Sequence, residues 1–142
     1  MYKHILIATD GSELAGKAVT AGLALAKQLG AKATAVTAID PWTGIVTSEA
    51  AVTFMEYQKA AVQDATRILD QVSKTARAQG IQCETVIVTE APADAIIETA
   101  NSKRCDLIVM SSNGRRGLAR VLLGSQATRV LTQSSVPVLI CR

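Results

Sequence analysis

The chain has 142 residues, enough for one domain with a full core but too few for a separate catalytic domain. Hydrophobic residues make up 49% and aromatic residues only 3%, so we expect a core of Ala, Val, Leu and Ile, which suits helices packed closely on a parallel sheet. The net charge is +3 and no long run of like charges occurs, which argues against general nucleic-acid binding.

The first predicted unit is a strand followed by a helix. Residues 5–8 form a short apolar run that ends at the turn residues Thr9, Asp10 and Gly11. Ser12 is expected to open the helix, and Gly30 to end it. Apolar residues recur along the helix at spacings of three or four, at Leu14, Ala18, Ala21, Leu25 and Leu29.

The second unit repeats this order with a longer helix. Residues 34–39 are predicted as a strand, residues 40–44 as a loop, and residues 49–79 as a helix that Gly80 closes. The predicted inner face of this helix consists of Val52, Met55, Val62, Ile68, Leu69, Val72 and Ala76.

The second half of the chain continues the alternation. A third strand begins near Cys83 and includes residues 85–88, and Pro92 stands at the first turn of the next helix, which presents Ile96, Ile97 and Ala100. The remaining predicted elements are a strand at residues 107–110, a helix at residues 125–133, and a strand at residues 136–141 that contains Pro137.

This alternation predicts an α/β fold. Five strands and four helices indicate one three-layer α/β/α domain over residues 1–142, with a five-stranded, mostly parallel sheet and right-handed crossovers. Such sheets bind ligands beyond the carboxyl ends of their strands, so the loops after strands one, two and four are expected to form one crevice.

The loop after the fourth strand has the composition of a phosphate site. Gly114 and Gly124 allow close approach of the backbone, and Gly124 and Ser125 would present N–H groups and a hydroxyl at a helix start. The sequence contains neither GxxxxGK[ST] nor a GxGxxG fingerprint after strand one, so those two phosphate-binding mechanisms are absent. Gly114 could instead serve a turn that needs positive φ, and Gly124 with Ser125 could form an ordinary helix cap.

Asp10 follows the first strand at the same predicted edge. Its carboxylate could accept hydrogen bonds from a ribose hydroxyl or a base amine. Alternatively it could cap the first helix, with Glu13 completing a capping box. The sequence leaves both interpretations open.

The whole chain resembles the universal stress protein family. The resemblance rests on the order of elements, on the turn TDGS after strand one, on the final PVLI, and on the family's nucleotide-binding pattern G-x2-G-x9-G-[ST]. The second and third glycines are Gly114 and Gly124, the last position is Ser125, and the first glycine is replaced by Ser111. If that position needs positive φ, serine would be strained; if it needs only a small residue, serine fits.

The resemblance implies a Rossmann-like sheet of the adenine-nucleotide alpha-hydrolase type, homodimerisation through the strand at residues 136–141, and ATP binding, with Mg²⁺ as a further candidate. In a dimer, two such strands would pair and bury Val136, Val138 and Ile140; Pro137 otherwise suits a protected edge. Carried over by position, the base and ribose contacts would be Ala8, Thr9 and Asp10, with the backbone of Ala38. The ribose and phosphate contacts would be Met110, Ser111, Asn113 and Gly114, and the terminal phosphates would lie at Gly124, Ser125, Gln126 and Ala127.

Other residues carry weaker indications of function. Arg115, Arg116 and Arg120 could contact phosphate or simply be solvated, and Gly117 lies outside the family pattern. His4 is the only histidine and cannot by itself form a triad or a metal site, so we expect it to be structural. A structural role is also expected for Trp42, which lies near the predicted base pocket.

The sequence leaves three classes of function to distinguish. The first is an ATP-binding regulatory module of the stress response with at most slow hydrolysis, because no acidic pair or dedicated catalytic signature is present. The second is a dimeric stress-response interaction protein of the same fold that has lost nucleotide binding. The third, a nucleotidyl transferase or ATP pyrophosphatase, is disfavoured because HxGH and SGGxDS are missing.

The cysteines and the hydropathy of the chain indicate where in the cell the protein is expected. Cys83, Cys105 and Cys141 are odd in number, widely spaced and close to apolar runs, so they are predicted to be reduced core thiols. The N-terminal sequence has neither the hydrophobic region nor the cleavage site of a secretion signal, and no apolar run reaches about 18 residues. The expected location is the cytoplasm, without specific nucleic-acid or membrane partners.

Overall fold

The computed structural model describes residues 1–42, 44, 46–114 and 122–142. These residues form a five-stranded sheet with helices on both faces, as the sequence predicts. In chain order the elements are β1 His4–Ala8, α1 Glu13–Leu29, β2 Lys32–Ile39, α2 Ala51–Ala78, β3 Cys83–Thr89, α3 Pro92–Ser102, β4 Leu107–Ser111, α4 Ser125–Gln133 and β5 Val138–Cys141.

The strands lie in the order β3-β2-β1-β4-β5, and every neighbouring pair is parallel. β1 is the central strand, and all of its residues are buried. Ala8 pairs with Val36, while β2 continues to Ile39; on the other side the pairing with β4 reaches Ile7 and Val109, while β4 continues to Ser111. Both neighbours therefore extend past the carboxyl end of β1.

Alternation along the strands divides the core between the two faces of the sheet. Ile7 and Val109 pack with Leu23 of α1 on one face. Leu6 and Ile108 belong to the cluster on the opposite face, to which α3 contributes Ala93, Ile96 and Ala100 and α4 contributes Ala127 and Val130. The loops that follow β1 and β4 consequently lead to helices on opposite faces.

The inner face predicted for α2 is correct only in its second half. Ile68, Leu69, Val72 and Ala76 are buried, whereas Val52, Met55 and Val62 are 64%, 67% and 47% exposed. At 100° per residue, Val52 lies about 170° from the middle of the face formed by Ala65 and Ile68, whereas Met55 and Val62 lie about 110° and 90° from it. The helix also begins at Ala51, two residues after the predicted start.

The last strand starts at Val138, two residues later than predicted. The Pro137 carbonyl accepts a hydrogen bond from the N–H of Ile108 at 2.9 Å, which is the one ladder contact that proline can make. The side chains of Val136, Val138 and Ile140 already pack against the core on the α3 and α4 face. The subunit itself therefore half-buries the three side chains predicted to lie in a dimer contact, which leaves the rest of their surface to a second copy.

The polar and thiol groups of the core agree with structural roles. His4 is buried, its Nε2 lies 2.7 Å from Thr34 Oγ1, and burial lowers the pKa of the imidazole below 6.5. All three cysteines are free thiols, but only Cys105 is buried, whereas Cys83 and Cys141 are half-buried beside the core. Burial raises the pKa of Cys105 to about 11. None of the helices in the described part of the chain is long and apolar enough to span a membrane.

Gly22 of α1 sets the distance between that helix and the sheet. A Cβ at this position would lie 2.6 Å from Ile7 Cγ1 and 2.7 Å from Ile7 Cδ1, and Ile7 is fully buried. We expect Gly22→Ala to lower the free energy of unfolding by about 1 to 3 kcal/mol, because the overpacked side chain cannot turn into solvent. Denaturant unfolding measures the change.

Gly16 in the same helix is the matched control, because a Cβ there meets nothing within 4 Å. Gly16→Ala should raise the stability by about 0.5 to 1 kcal/mol, since alanine is the better helix former. A Gly22→Ala protein as stable as Gly16→Ala would contradict the packing argument.

Candidate functional site

A cavity of about 800 Å³ lies at the carboxyl edge of the sheet, above the end of β1. It is bounded by the ends of β1, β2 and β4 and by parts of α2, α3 and α4. The structure brings together around it every site residue carried over from the family pattern: Ala8, Thr9, Asp10, Ala38, Met110, Ser111, Asn113, Gly114, Gly124, Ser125, Gln126 and Ala127.

The turn after β1 places Asp10 at this edge. Asp10 Oδ1 accepts a hydrogen bond from the N–H of Ser12 at 2.9 Å, while Ser12 Oγ accepts from the N–H of Ala15 at 3.2 Å. Ser12 is therefore the N-cap of α1, and the interpretation of Asp10 as the cap is wrong. Asp10 instead forms an Asx turn that holds its carboxylate at the cavity.

The part of β2 that extends past the end of β1 presents polar backbone groups to the cavity. The Val36 carbonyl accepts from the N–H of Thr9 at 3.0 Å, so it points toward β1. Backbone groups of alternate residues in a strand point to the same side, so the N–H and C=O of Ala38 also point that way, beyond the end of β1. Ala38 thus offers a donor and an acceptor without using its side chain.

Two hydrogen bonds close the base of the segment between β4 and α4, residues 112–124, which we call the glycine loop. The N–H of Gly124 donates to the Ser112 carbonyl at 2.8 Å, and Asn113 Nδ2 donates to the Leu122 carbonyl at 3.0 Å. The side-chain amide of Asn113 is therefore engaged within the loop. Residues 115–121, which include Arg115, Arg116, Gly117 and Arg120, lie outside the described part of the chain.

Gly114 and Gly124 are needed for space rather than for backbone conformation. A Cβ on Gly114 would lie 2.7 Å from Asp10 Oδ2, and a Cβ on Gly124 would lie 2.9 Å from Asn113 Oδ1 and 3.0 Å from the Ser112 carbonyl oxygen. Gly124 has φ −64°, and Gly114 is not among the glycines with positive φ. The alternative that Gly114 serves a turn with positive φ is therefore wrong.

Ser111 occupies its position without backbone strain. It is the last residue of β4, it pairs with Cys141, and its φ is not positive. Its side chain is buried, and Oγ donates to the Asn113 carbonyl at 2.8 Å. In this chain the position therefore accepts serine as a small residue, and the hydroxyl adds a contact to the start of the glycine loop.

The N-terminus of α4 is directed at the cavity. Gly124 is its N-cap and supplies no side-chain cap, and the first bond of the helix runs from the N–H of Thr128 to the Gly124 carbonyl at 2.9 Å. Within the described ranges, the N–H groups of Ser125, Gln126 and Ala127 have no hydrogen-bond partner. These groups and the helix dipole have the electrostatic character that favours an anion at one wall of the cavity.

The wall that α2 contributes was not predicted from the sequence. Tyr57 lines the cavity and donates from its hydroxyl to the Asp40 carbonyl at 2.6 Å, and Trp42 packs beside it with ring centroids 5.1 Å apart. Much of the remaining wall is alanine, which sequence patterns assign simply to helix or strand. The lining alanines are Ala8, Ala15, Ala38, Ala60, Ala61, Ala65 and Ala127.

The cavity lies at the position where open parallel sheets bind their ligands, and its groups suit a phosphorylated one. β1 and β4 are neighbours whose following helices pack on opposite faces, which is the topological switch point of such a sheet. Over residues 1–42, 44, 46–114 and 122–142, no three His, Cys, Asp or Glu side chains are grouped as a metal site.

Comparison with known proteins decides the family. The model of the universal stress protein family matches residues 1–142. The chain belongs to this family. A universal stress protein of Methanocaldococcus jannaschii is 35% identical over 144 residues, an alignment that covers 100% of this chain and 83% of the relative.

Solved universal stress proteins share the fold. The protein named UspA from Lactobacillus plantarum superposes with a TM-score of 0.90 at 24% identity, covering 99% of this chain and 98% of that one. A universal stress protein crystallised in complex with cAMP has a TM-score of 0.75 at 31% identity, covering 99% of this chain and 97% of that one. The predicted three-layer fold is confirmed.

The free energy of unfolding tests whether Ser111 is free of backbone strain. Ser111→Gly removes the hydrogen bond from Oγ to the Asn113 carbonyl and adds backbone freedom to the unfolded chain. We expect a loss of about 1 to 2 kcal/mol in denaturant unfolding. An increase in stability would show instead that serine strains this position.

Proposed function

We propose that this universal stress protein domain binds ATP in the cavity at the carboxyl edge and acts as a nucleotide-dependent regulatory module of the stress response. The observation that carries the proposal is the convergence on one cavity of the Asp10 carboxylate, the outward-pointing backbone of Ala38 and the N–H groups at the start of α4, which have no partner among the described residues. The cytoplasmic location remains a prediction from the sequence.

The three groups would recognise different parts of the nucleotide. The Ala38 backbone suits the adenine edge, because a base presents adjacent donors and acceptors as a strand does. Asp10 suits the ribose hydroxyls, which donate hydrogen bonds to a carboxylate. The first turn of α4 suits the terminal phosphates, with Gly114 and Gly124 leaving room for them to approach the backbone.

Hydrolysis is not the proposed activity. Turnover needs a positioned water, a metal ion and a base. Any Mg²⁺ would be carried by the phosphates themselves, and Asp10, which lines the same cavity, could help to place it. We therefore propose binding with little or no ATPase activity. The related universal stress protein in complex with cAMP supports an adenine nucleotide as the class of ligand.

ATP binding is tested by calorimetry on the wild-type chain and on Gly124→Ala. We expect wild-type binding at micromolar strength or weaker. The alanine variant should bind at least about tenfold more weakly, because its Cβ would displace Asn113 and Ser112 at the base of the loop. Acid extraction of the purified protein followed by chromatography shows whether nucleotide is carried through purification.

Gly16→Ala is the control, because it makes the same chemical change outside the cavity and should bind ATP as the wild type does. No binding by the wild type at millimolar ATP would reject the proposal and favour the dimeric interaction protein without nucleotide. Equal affinities of wild type and Gly124→Ala would reject the site.

We further propose a homodimer formed through β5. This strand is an edge of the sheet and pairs only with β4 within the described part of the chain. Leu139 is its most exposed apolar residue, at 42%. Because the side chains of Val138 and Ile140 pack within the subunit, the dimer contact would consist of the strand backbone together with Leu139.

Light scattering at micromolar concentration should give the mass of a dimer. Leu139→Lys should shift the protein toward the monomer, because a lysine on the edge opposes strand pairing. Leu131→Lys is the control, since Leu131 lies on α4 with the same 42% exposure. A monomeric wild type would contradict the dimer.

A further inference from the structure

Gln126 connects the first turns of two helices that both reach the cavity. α3 begins at Pro92, its N-cap Ala91 supplies no side-chain cap, and proline has no N–H. The first donor of α3 is therefore the N–H of Ala93, which donates to Gln126 Oε1 at 2.9 Å. A backbone N–H can only donate, so the oxygen of the carboxamide must face α3.

A second contact joins the same two helices, one residue further along α3 and about one turn further along α4. Arg129 Nη2 lies 2.8 Å from Asp94 Oδ1. Between the two polar contacts, Ala93 is completely buried and Ala127 almost completely so, which lets the helices approach closely. We call Gln126, Arg129, Ala93 and Asp94 the α3–α4 clasp.

In the clasp, the N-terminus of α3 is capped from within the chain, and the N-terminus of α4 is not. The N–H of Ala93 has its partner within the chain, whereas those of Ser125, Gln126 and Ala127 have none among the described residues. If the Gln126 side chain turned to a phosphate, the Ala93 N–H would lose its acceptor in a buried turn, which is costly. The side chain therefore belongs to α3, and only the main chain of Gln126 is available to an anion.

We propose that Gln126 is a positioning residue that fixes the first turn of α4 against α3, so that its N–H groups meet the terminal phosphates without rearrangement. This inference rests on the proposed binding of ATP and deepens it. Preorganised donors bind more tightly than donors that must first be ordered. The contribution of Gln126 is thus to the phosphate end of the ligand and not to the base or the ribose.

The test compares ATP with adenosine, which lacks the phosphates. Gln126→Met keeps the length of the side chain and removes the acceptor. We expect it to weaken ATP binding about fivefold, the effect of one lost hydrogen bond, while the affinity for adenosine stays unchanged. In the ligand-free protein the amide of Ala93 should exchange with deuterium faster, as followed by NMR.

Three further variants make the test specific. Gln133→Met, the same change at the exposed C-terminal end of α4, should leave both affinities unchanged. Gln126→Asn is too short to reach α3 and should behave like Gln126→Met, so it serves if the latter does not fold. Gln126→Glu keeps an acceptor, so the Ala93 amide should stay protected from exchange. Its added negative charge should weaken ATP binding at low salt. At about 1 M salt, where that charge is screened, its ATP affinity should equal that of the wild type in the same buffer.

The inference is overturned if Gln126→Met binds ATP as the wild type does, or if it loses ATP and adenosine affinity equally. The first of these results leaves the proposed ATP site intact, so the two proposals can fail separately. A wild-type protein that binds no ATP would reject both, and the exchange of Ala93 would then report only on the contact with α3.

Discussion

The carboxyl end of β1 stops short of its two neighbours, and the cavity depends on this difference in length. β2 continues to Ile39 and β4 continues to Ser111, so a notch opens above Ala8 at the centre of the sheet. The chain leaves β1 toward α1 on one face and leaves β4 toward α4 on the other. Asp10, the Ala38 backbone and the α4 N-terminus meet there because the parallel sheet directs all three to one edge.

Most of the fold could be predicted from the sequence, because buried parallel strands and glycine-terminated helices have strong local patterns. Gly30 ends α1 with φ 63°, a conformation that glycine adopts without strain. The inner face of α2 was only partly predictable. Val52, Met55 and Val62 recur at helical spacing, but the first half of α2 lies beside the cavity instead of on the core, and spacing alone does not reveal that.

The positions around the cavity were also predictable, because a motif specifies which residues the loops carry and the sheet brings the loops together. The role of each side chain at the cavity was harder to predict from the sequence. The cap of α1 is Ser12 rather than Asp10, which stands two residues earlier in the same turn, and both residue types are common helix caps. The contact from Gln126 to Ala93 joins residues 33 apart in the chain, and no local pattern predicts such a pair.

The alanine residues that line the cavity suggest how its shape could differ among relatives. Ala60 and Ala61 on α2 and Ala15 on α1 contribute little more than backbone to its surface, so the space exists because larger side chains are missing. A single codon change at such a position could fill part of the cavity while leaving the helix itself in place, since most larger residues are tolerated in helices. Single substitutions can thus reshape the cavity without rebuilding the sheet that supports it.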